Sequence, residues 1–136
     1  MNLTDYFEQT RGTGILSTAD NAGQVDAAIY ARPHVAEDGS IAFIMRDRLT
    51  HHNIQENPFA VYLFIEAAAG YQGVRLYLEK IREETDSELI AQMTRRCLSP
   101  EEDAAKGPKF LVYFKISKML ALVGSETPAI ELTRKG

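Results

Sequence analysis

A single cysteine, Cys97, among 136 residues excludes an internal disulfide and fits a reducing cytoplasm. On its helical spacing it reads as a buried thiol rather than a redox or nucleophilic group. Basic charge is also scarce: 15 Lys and Arg face 19 Asp and Glu, for a net charge of -4. A duplex nucleic-acid binder needs a concentrated basic surface, so that class is set aside. No stretch approaches the ~20 apolar residues of a membrane span, and the opening "MNLTDYFEQT" lacks the apolar core of a signal peptide. A cytoplasmic protein is expected. Repeats, low-complexity tracts and glycine-rich mononucleotide loops are missing too. What remains is 45% hydrophobic and 25% charged, the balance of one ordinary globular domain over 1–136.

The pattern along the chain is mostly strand. "LTDYFEQTR" predicts a short helix with Leu3, Phe7 and Tyr6 on one face, Thr4 as its cap, and Gly12 or Gly14 at its end. "GILSTA" is a strand and "DNAG" a turn with glycine at positive φ. "QVDAAIYARP" alternates Val25, Ala27 and Ile29 against Asp26, Ala28 and Tyr30, a strand with two different faces. "EDGS" is a second hairpin turn before the strand "IAFIM". "LTHHNIQEN" reads as a helix capped by Thr50 and closed by Pro58. "FAVYLFIEA" is apolar almost throughout, so it is expected to be covered on both faces. "VRLYLEKI" puts Val74, Leu76, Leu78 and, slightly out of step, Ile81 on one face. "TDSE" from Thr85 is a capping box for the helix "LIAQMTRRCL", with Leu89, Ile90, Met93 and Cys97 along one side. After the loop "SPEEDAAKGP", "KFLVYFKISKMLALVG" is a long, bent strand with Phe110, Val112, Phe114 and Ile116 inward. Six strands in hairpins with small helices predict a mainly β, antiparallel, closed or partly closed barrel.

Chemistry-bearing residues crowd into "MRDRLTHHNIQENP", from Met45 to Pro58. A strand ends there and a helix begins, so free backbone N–H groups and the positive helix end point past the strand. Thr50 adds a hydroxyl; Arg46 and Arg48 add charge-assisted donors, with Arg32 a neighbour across the hairpin. This is the make-up of an anion seat. On spacing alone the plainer reading, a strand end solvated by arginines, is the more ordinary one. Metal is not expected: His52 and Glu56 share a helical face, but His51 points elsewhere and zinc wants three or four convergent ligands. His51 and His52 read instead as solvent-facing or capping, and His34, after Pro33, as a surface residue. The carboxylates of "EKIREETDSE" read as a solvated strand end leading into a helix start. Tyr30, beside the small residues Ala28 and Ala31, offers either an aromatic edge for a flat ligand or a half-buried cross-strand partner.

Four stretches together carry a family resemblance: "GILSTADNAGQVDAAIYARP", "IAFIMRDRLTHHNIQENPFAVYLF", "GVRLYL" and the closing strand. Over roughly Leu3 to Gly124 the chain resembles the pyridoxamine 5'-phosphate oxidase-like FMN-binding split-barrel proteins. The asparagine-to-proline ending of the short helix, Asn53 to Pro58, is the most telling part. The resemblance implies a six-stranded antiparallel split barrel, a homodimer, and FMN in the grooves between subunits. By position it assigns Ala28, Ile29 and Tyr30 to the flavin ring, and Met45, Arg46, Arg48 and Thr50 to the phosphate. Arg75 of "GVRL" would face the cofactor region.

Departures qualify the resemblance. Many members carry a lysine at or beside Thr50, where this chain has Leu49 and Thr50; an arginine is well shaped to replace it. Gly73 stands where the oxidase often has glutamine, and the oxidase's C-terminal substrate segment is not evident. Oxidation of pyridoxamine phosphate is therefore not expected. An FMN-dependent oxidoreductase or electron carrier is the leading expectation. A haem-handling barrel using His34, His51 or His52 is the rival, and a dimer that has lost its cofactor is the third reading.

Overall fold

The computed structural model describes residues 1–85, 90 and 108–131. Helix α1 (Leu3–Gln9) is followed by strands β1 (Gly12–Ala19), β2 (Val25–Ile29), β3 (His34–Val35) and β4 (Ile41–Arg46). Helix α2 (Leu49–Glu56) then precedes β5 (Phe59–Glu66), β6 (Gly73–Thr85) and β7 (Lys109–Ala121). All strand pairs are antiparallel, in one open sheet ordered β2-β1-β5-β6-β7-β4-β3. The fold is mainly β, and the sheet has seven strands where six were expected. The seventh is β3, two residues paired to β4 through His34 with Ala42 and Val35 with Ile41. Two residues between Pro33 and the "EDGS" turn carry too short a pattern to be seen as a strand.

The turns follow their glycines. Gly23 and Gly39 adopt φ of 81° and 89°, the left-handed region that a side chain disfavours. Asp20 closes the first turn by accepting from the backbone N–H groups of Ala22 and Gln24. Gly14 has a different role. A Cβ there would collide with the Tyr62 hydroxyl, which donates to the carbonyls of Tyr30 and Ala31 at 3.2 Å each. Gly12 and Gly14 thus lie inside β1; α1 ends earlier, at Gln9, with Thr10 as its C-cap.

Both predicted helix caps move. Asn2, not Thr4, caps α1, its side-chain oxygen accepting from the Asp5 N–H at 2.8 Å. The Thr4 hydroxyl is buried without a partner among the described residues. Arg48, not Thr50, is the N-cap of α2. At its other end, Asn57 is extended (φ -139°, ψ 116°), as a residue before proline prefers.

The main interior cluster is built from alternate residues of the strands. Leu16, Tyr62, Phe64, Leu76, Leu78 and Phe114 are essentially inaccessible, and α1 closes the barrel over them with Leu3, Tyr6 and Phe7. The Tyr6 hydroxyl donates to Glu66 at 2.6 Å, and burial with this carboxylate pushes its pKa well up. Two irregularities bend the long strands. One shifts register between Tyr77 and Leu78, opposite Ser117; the other lies between Lys80 and Arg82. The second leaves Ile81 unpaired and 44% exposed, which explains why it fell out of step with Val74, Leu76 and Leu78. Past this bulge the parity of β6 flips, so Glu83 pairs with Val112 on the inner face.

β5 departs from the expectation of cover on both sides. Ala60, Tyr62 and Phe64 face inward, but Phe59, Val61, Leu63 and Ile65 form an outer row that the described residues leave partly open. This row continues across β1 and β2, where Val25 and Ile29 are 76% and 72% exposed and Phe59 is 60% exposed. A shallow groove of about 320 Å³ runs along it, lined by Val25, Phe59, Val61, Tyr77, Ser17 and Ser117. The capping box at Thr85 and the helix from Leu89 through Cys97 fall, apart from Thr85 and Ile90, outside the described residues. Thr85 is the last residue of β6, and Ile90 is helical and buried with Ala42, Leu111 and Tyr113. Among the described residues no helix is long and apolar enough to cross a membrane.

Candidate functional site

β4 ends at Arg46, and one turn of chain brings Arg48 to the start of α2. Arg48 is extended (φ -136°, ψ -176°), the right backbone for an N-cap, yet its side chain makes no capping bond and the first turn holds no acidic residue. Its carbonyl accepts from the His52 N–H at 3.0 Å, which is the first turn of helix bonding. The amides of Leu49, Thr50 and His51 precede that bond. The positive end of α2 thus begins at Arg48, with Arg46 closing β4 two residues before it.

Tyr30 reaches this point from the far edge of the sheet. Its N–H still bonds the Gly14 carbonyl at 2.9 Å, and its ring meets Phe43 of β4 edge to face at 5.9 Å. It therefore spans the gap between the β2 side and the β4 side of the barrel. Its hydroxyl shares a hydrogen bond with Thr50. Burial pushes the phenol's pKa up, while the Thr50 bond and the Arg48 charge oppose that rise and Asp26 adds to it.

The sequence-derived site residues sort clearly. Tyr30, Arg48 and Thr50 come together, with Arg46 at the adjoining strand end. Thr50 is 4% exposed and engaged with Tyr30, so it positions the ring rather than offering an open hydroxyl. Met45 is fully buried, so only its backbone borders the site. Ala28 is half-buried in β2 opposite Leu16, and Ile29 turns to the open outer face. Arg32 does not join them: its guanidinium donates to the Phe7 and Thr10 carbonyls at 2.7 and 3.0 Å, finishing α1. Arg75 lies near the opposite end of β6 from Glu83, donating to the Ala121 carbonyl at 2.9 Å and to that of Gly124.

Of the three histidines, His34 and His52 lie at the surface as expected and His51 does not. His52 is exposed and bonded to Asp47 at 2.7 Å, and His34 is exposed on β3. His51 is neither solvent-facing nor a cap. It is buried, stacks on Phe110 with ring centroids 3.9 Å apart, and meets Glu83 at 3.0 Å. Sequence reading missed this Glu83 cluster; the out-of-step Ile81 was its one visible sign. Among the described residues no group of three His, Cys, Asp or Glu could hold a metal ion.

No protein-family model matches the chain, and no curated protein sequence does. Solved structures do. An FMN-binding protein from Syntrophomonas wolfei subsp. wolfei aligns with a TM-score of 0.69 at 19% identity, over 89% of this chain and 84% of that one. An F420 reductase aligns at 0.70 and 14% identity, over 88% of this chain and 97% of that one. HutZ, described as a haem storage protein from Vibrio cholerae, aligns at 0.65 and 22% identity, over 88% and 94%.

The fold is the FMN-binding split barrel, as in pyridoxamine 5'-phosphate oxidase-like structures. At these identities the likeness speaks for the fold alone. In this split barrel the gap between the β2 and β4 sides is where Tyr30, Thr50 and Arg48 meet.

Proposed function

We propose that the protein is a flavin-binding homodimer, with FMN as its ligand, acting as an oxidoreductase or electron carrier. The observation that carries this reading is the start of α2: no acidic residue in its first turn, no side-chain cap, the preceding Asp47 taken up by His52, Arg48 at the N-cap with Arg46 closing β4 before it, and a tyrosine bridging the split beside it. These residues fit a phosphate. Amides of a first helical turn and guanidinium groups are its usual donors, and Arg46 and Arg48 stand in for the lysine absent at Thr50. Tyr30 and Ala28 would border the flat ring. The flavin would supply the electron transfer; the protein's residues hold the phosphate, seat the ring and exclude water. The split-barrel likeness to an FMN-binding protein supports the same ligand. The exposed apolar row of Val25, Ile29 and Phe59 supports a second copy of the chain as cover. A cytoplasmic location belongs to the same proposal.

Haem is the second reading, favoured by the likeness to HutZ. Two of the three histidines weigh against it, since His51 is buried against Glu83 and His52 is bonded to Asp47. His34, exposed on β3, is the imidazole outside those two carboxylate pairs. One experiment separates the readings. The purified protein is titrated with FMN and, in parallel, with haemin, following flavin fluorescence and the Soret band. Flavin quenching is expected at micromolar protein, weakened about 100-fold in Arg46→Ala/Arg48→Ala at roughly 1.5 kcal/mol per charged bond. A Soret band lost on His34→Ala, with no flavin quenching, would replace flavin by haem.

A further inference from the structure

The bulge at Ile81 turns Glu83 inward beneath α2, where its carboxylate gathers three donors. The Lys80 ammonium and the Gln55 amide each reach one oxygen at 2.9 Å, and His51 Nε2 reaches the other at 3.0 Å. The imidazole lies flat on Phe110, 9° from parallel, and is 6% exposed. With the Glu83 carboxylate accepting at Nε2, that nitrogen carries the proton, and the Gln55 amide nitrogen 3.1 Å from it donates to Glu83 instead. Nδ1 is then left buried with no hydrogen-bond partner among the described residues. An aliphatic or phenyl side chain would fill the same space without stranding a polar atom. Packing alone therefore does not account for an imidazole here. What the ring adds is its bond to Glu83.

His51 is the third residue of α2, so its own amide is one of those that precede the first intrahelical bond. A tie from this side chain to β6 and β7 fixes how the opening turn of the helix is rotated. We infer that His51 is a positioning residue for the anion seat, holding the amides of Leu49, Thr50 and His51 and the Arg48 guanidinium in register for a phosphate. The inference rests on the proposed flavin phosphate site and assigns that site its support. His51 touches no ligand in this scheme; it acts through the helix start.

The test compares FMN with riboflavin, which lacks the phosphate, and with inorganic phosphate. His51→Leu keeps the bulk and removes the donor; His51→Gln keeps an N–H near the Nε2 position. Binding is followed by flavin fluorescence, phosphate by its shift of the melting temperature. His51→Leu is expected to weaken FMN at least tenfold and to diminish the phosphate shift, with riboflavin unchanged within twofold. His51→Gln should restore FMN to within about threefold. Equal losses for FMN and riboflavin, or no loss of either, would overturn the inference. If His51→Leu fails to fold, Glu83→Gln, which leaves the ring in place, is read by the same FMN-to-riboflavin ratio and decides the matter in the same way. A wild-type protein stabilised by phosphate but indifferent to flavin would sink the flavin function, and His51 would then be judged on phosphate alone. Binding of neither would overturn both.

Discussion

The two described helices are of nearly equal length, and their ends are finished in opposite ways. α1 begins with an Asn2 cap and Asp5 in its first turn, and its C-terminal carbonyls receive the Arg32 guanidinium. Each end thus meets the charge that the helix dipole prefers, supplied from within the chain. α2 begins at an arginine that caps nothing, with no acidic residue in its first turn and no basic residue in its last. The first helix is arranged for stability, as a lid on the core. The second leaves its positive end uncapped, with the preceding Asp47 taken up by His52, which disfavours the free protein slightly and favours an anion.

Exchanging the finish of one helix for that of the other gives the largest expected effect. Arg48→Asp places a good capping residue on a backbone already extended for it. The free protein should gain about 0.5–1 kcal/mol, read as a higher melting temperature. FMN affinity should fall on the order of 100-fold, because an attractive charge becomes a repulsive one beside the phosphate. Stability and binding move in opposite directions only if the bare helix start serves a ligand. A variant that lost both would mean Arg48 holds the fold together.

The opposite manipulation belongs to α1. Arg32→Ala leaves the Phe7 and Thr10 carbonyls short of a donor in a part-buried site and should cost about 1.5–3 kcal/mol of stability, measured by denaturant unfolding. FMN affinity should stay within twofold of wild type. A large loss of flavin binding in a folded Arg32→Ala protein would return this arginine to the site, where the sequence alone had it.

That misplacement shows which information the chain carries openly. Strand positions, both glycine turns, the proline-closed α2 and the barrel class follow from period, turn chemistry and the residue before Pro58, all of which are local. The convergence of Tyr30, Arg48 and Thr50 was legible only through resemblance, since Tyr30 arrives from the other edge of the sheet. The fate of a long polar side chain is not local at all. Arg32 and Arg48 look alike in sequence, and one is spent on helix carbonyls 22 and 25 residues away. Thr4 and Thr50 both resemble caps, yet the true caps are Asn2 and Arg48 because the helices start at Leu3 and Leu49, one residue before each threonine. His51 was the hardest to read. It stacks on Phe110 of β7, and its partner Glu83 is brought inward by one unpaired residue, Ile81, that reverses which side of β6 faces inward.

The smallest expected effect concerns that reversed segment and reports on how α2 is held. Burial by itself raises the Glu83 pKa, but the bonds from Lys80, Gln55 and His51 outweigh it and hold the group below its ordinary 4.5. A carboxyl lowered in the folded state contributes stability that is fully present above its unfolded pKa and is lost as pH falls through the folded value. The wild-type protein should therefore lose stability below pH 4.5 more steeply than Glu83→Gln. At neutral pH the variant should melt only about 2–4 °C lower, the size of a weak ion pair in a domain of this length. Melting curves at half-unit steps from pH 3 to 7 make the comparison, the two proteins converging as pH drops. Parallel curves would mean that the Glu83 cluster is held by shape and not by charge, and α2 would then owe its position to Ile54 and the Asn53–Thr18 bond beneath it.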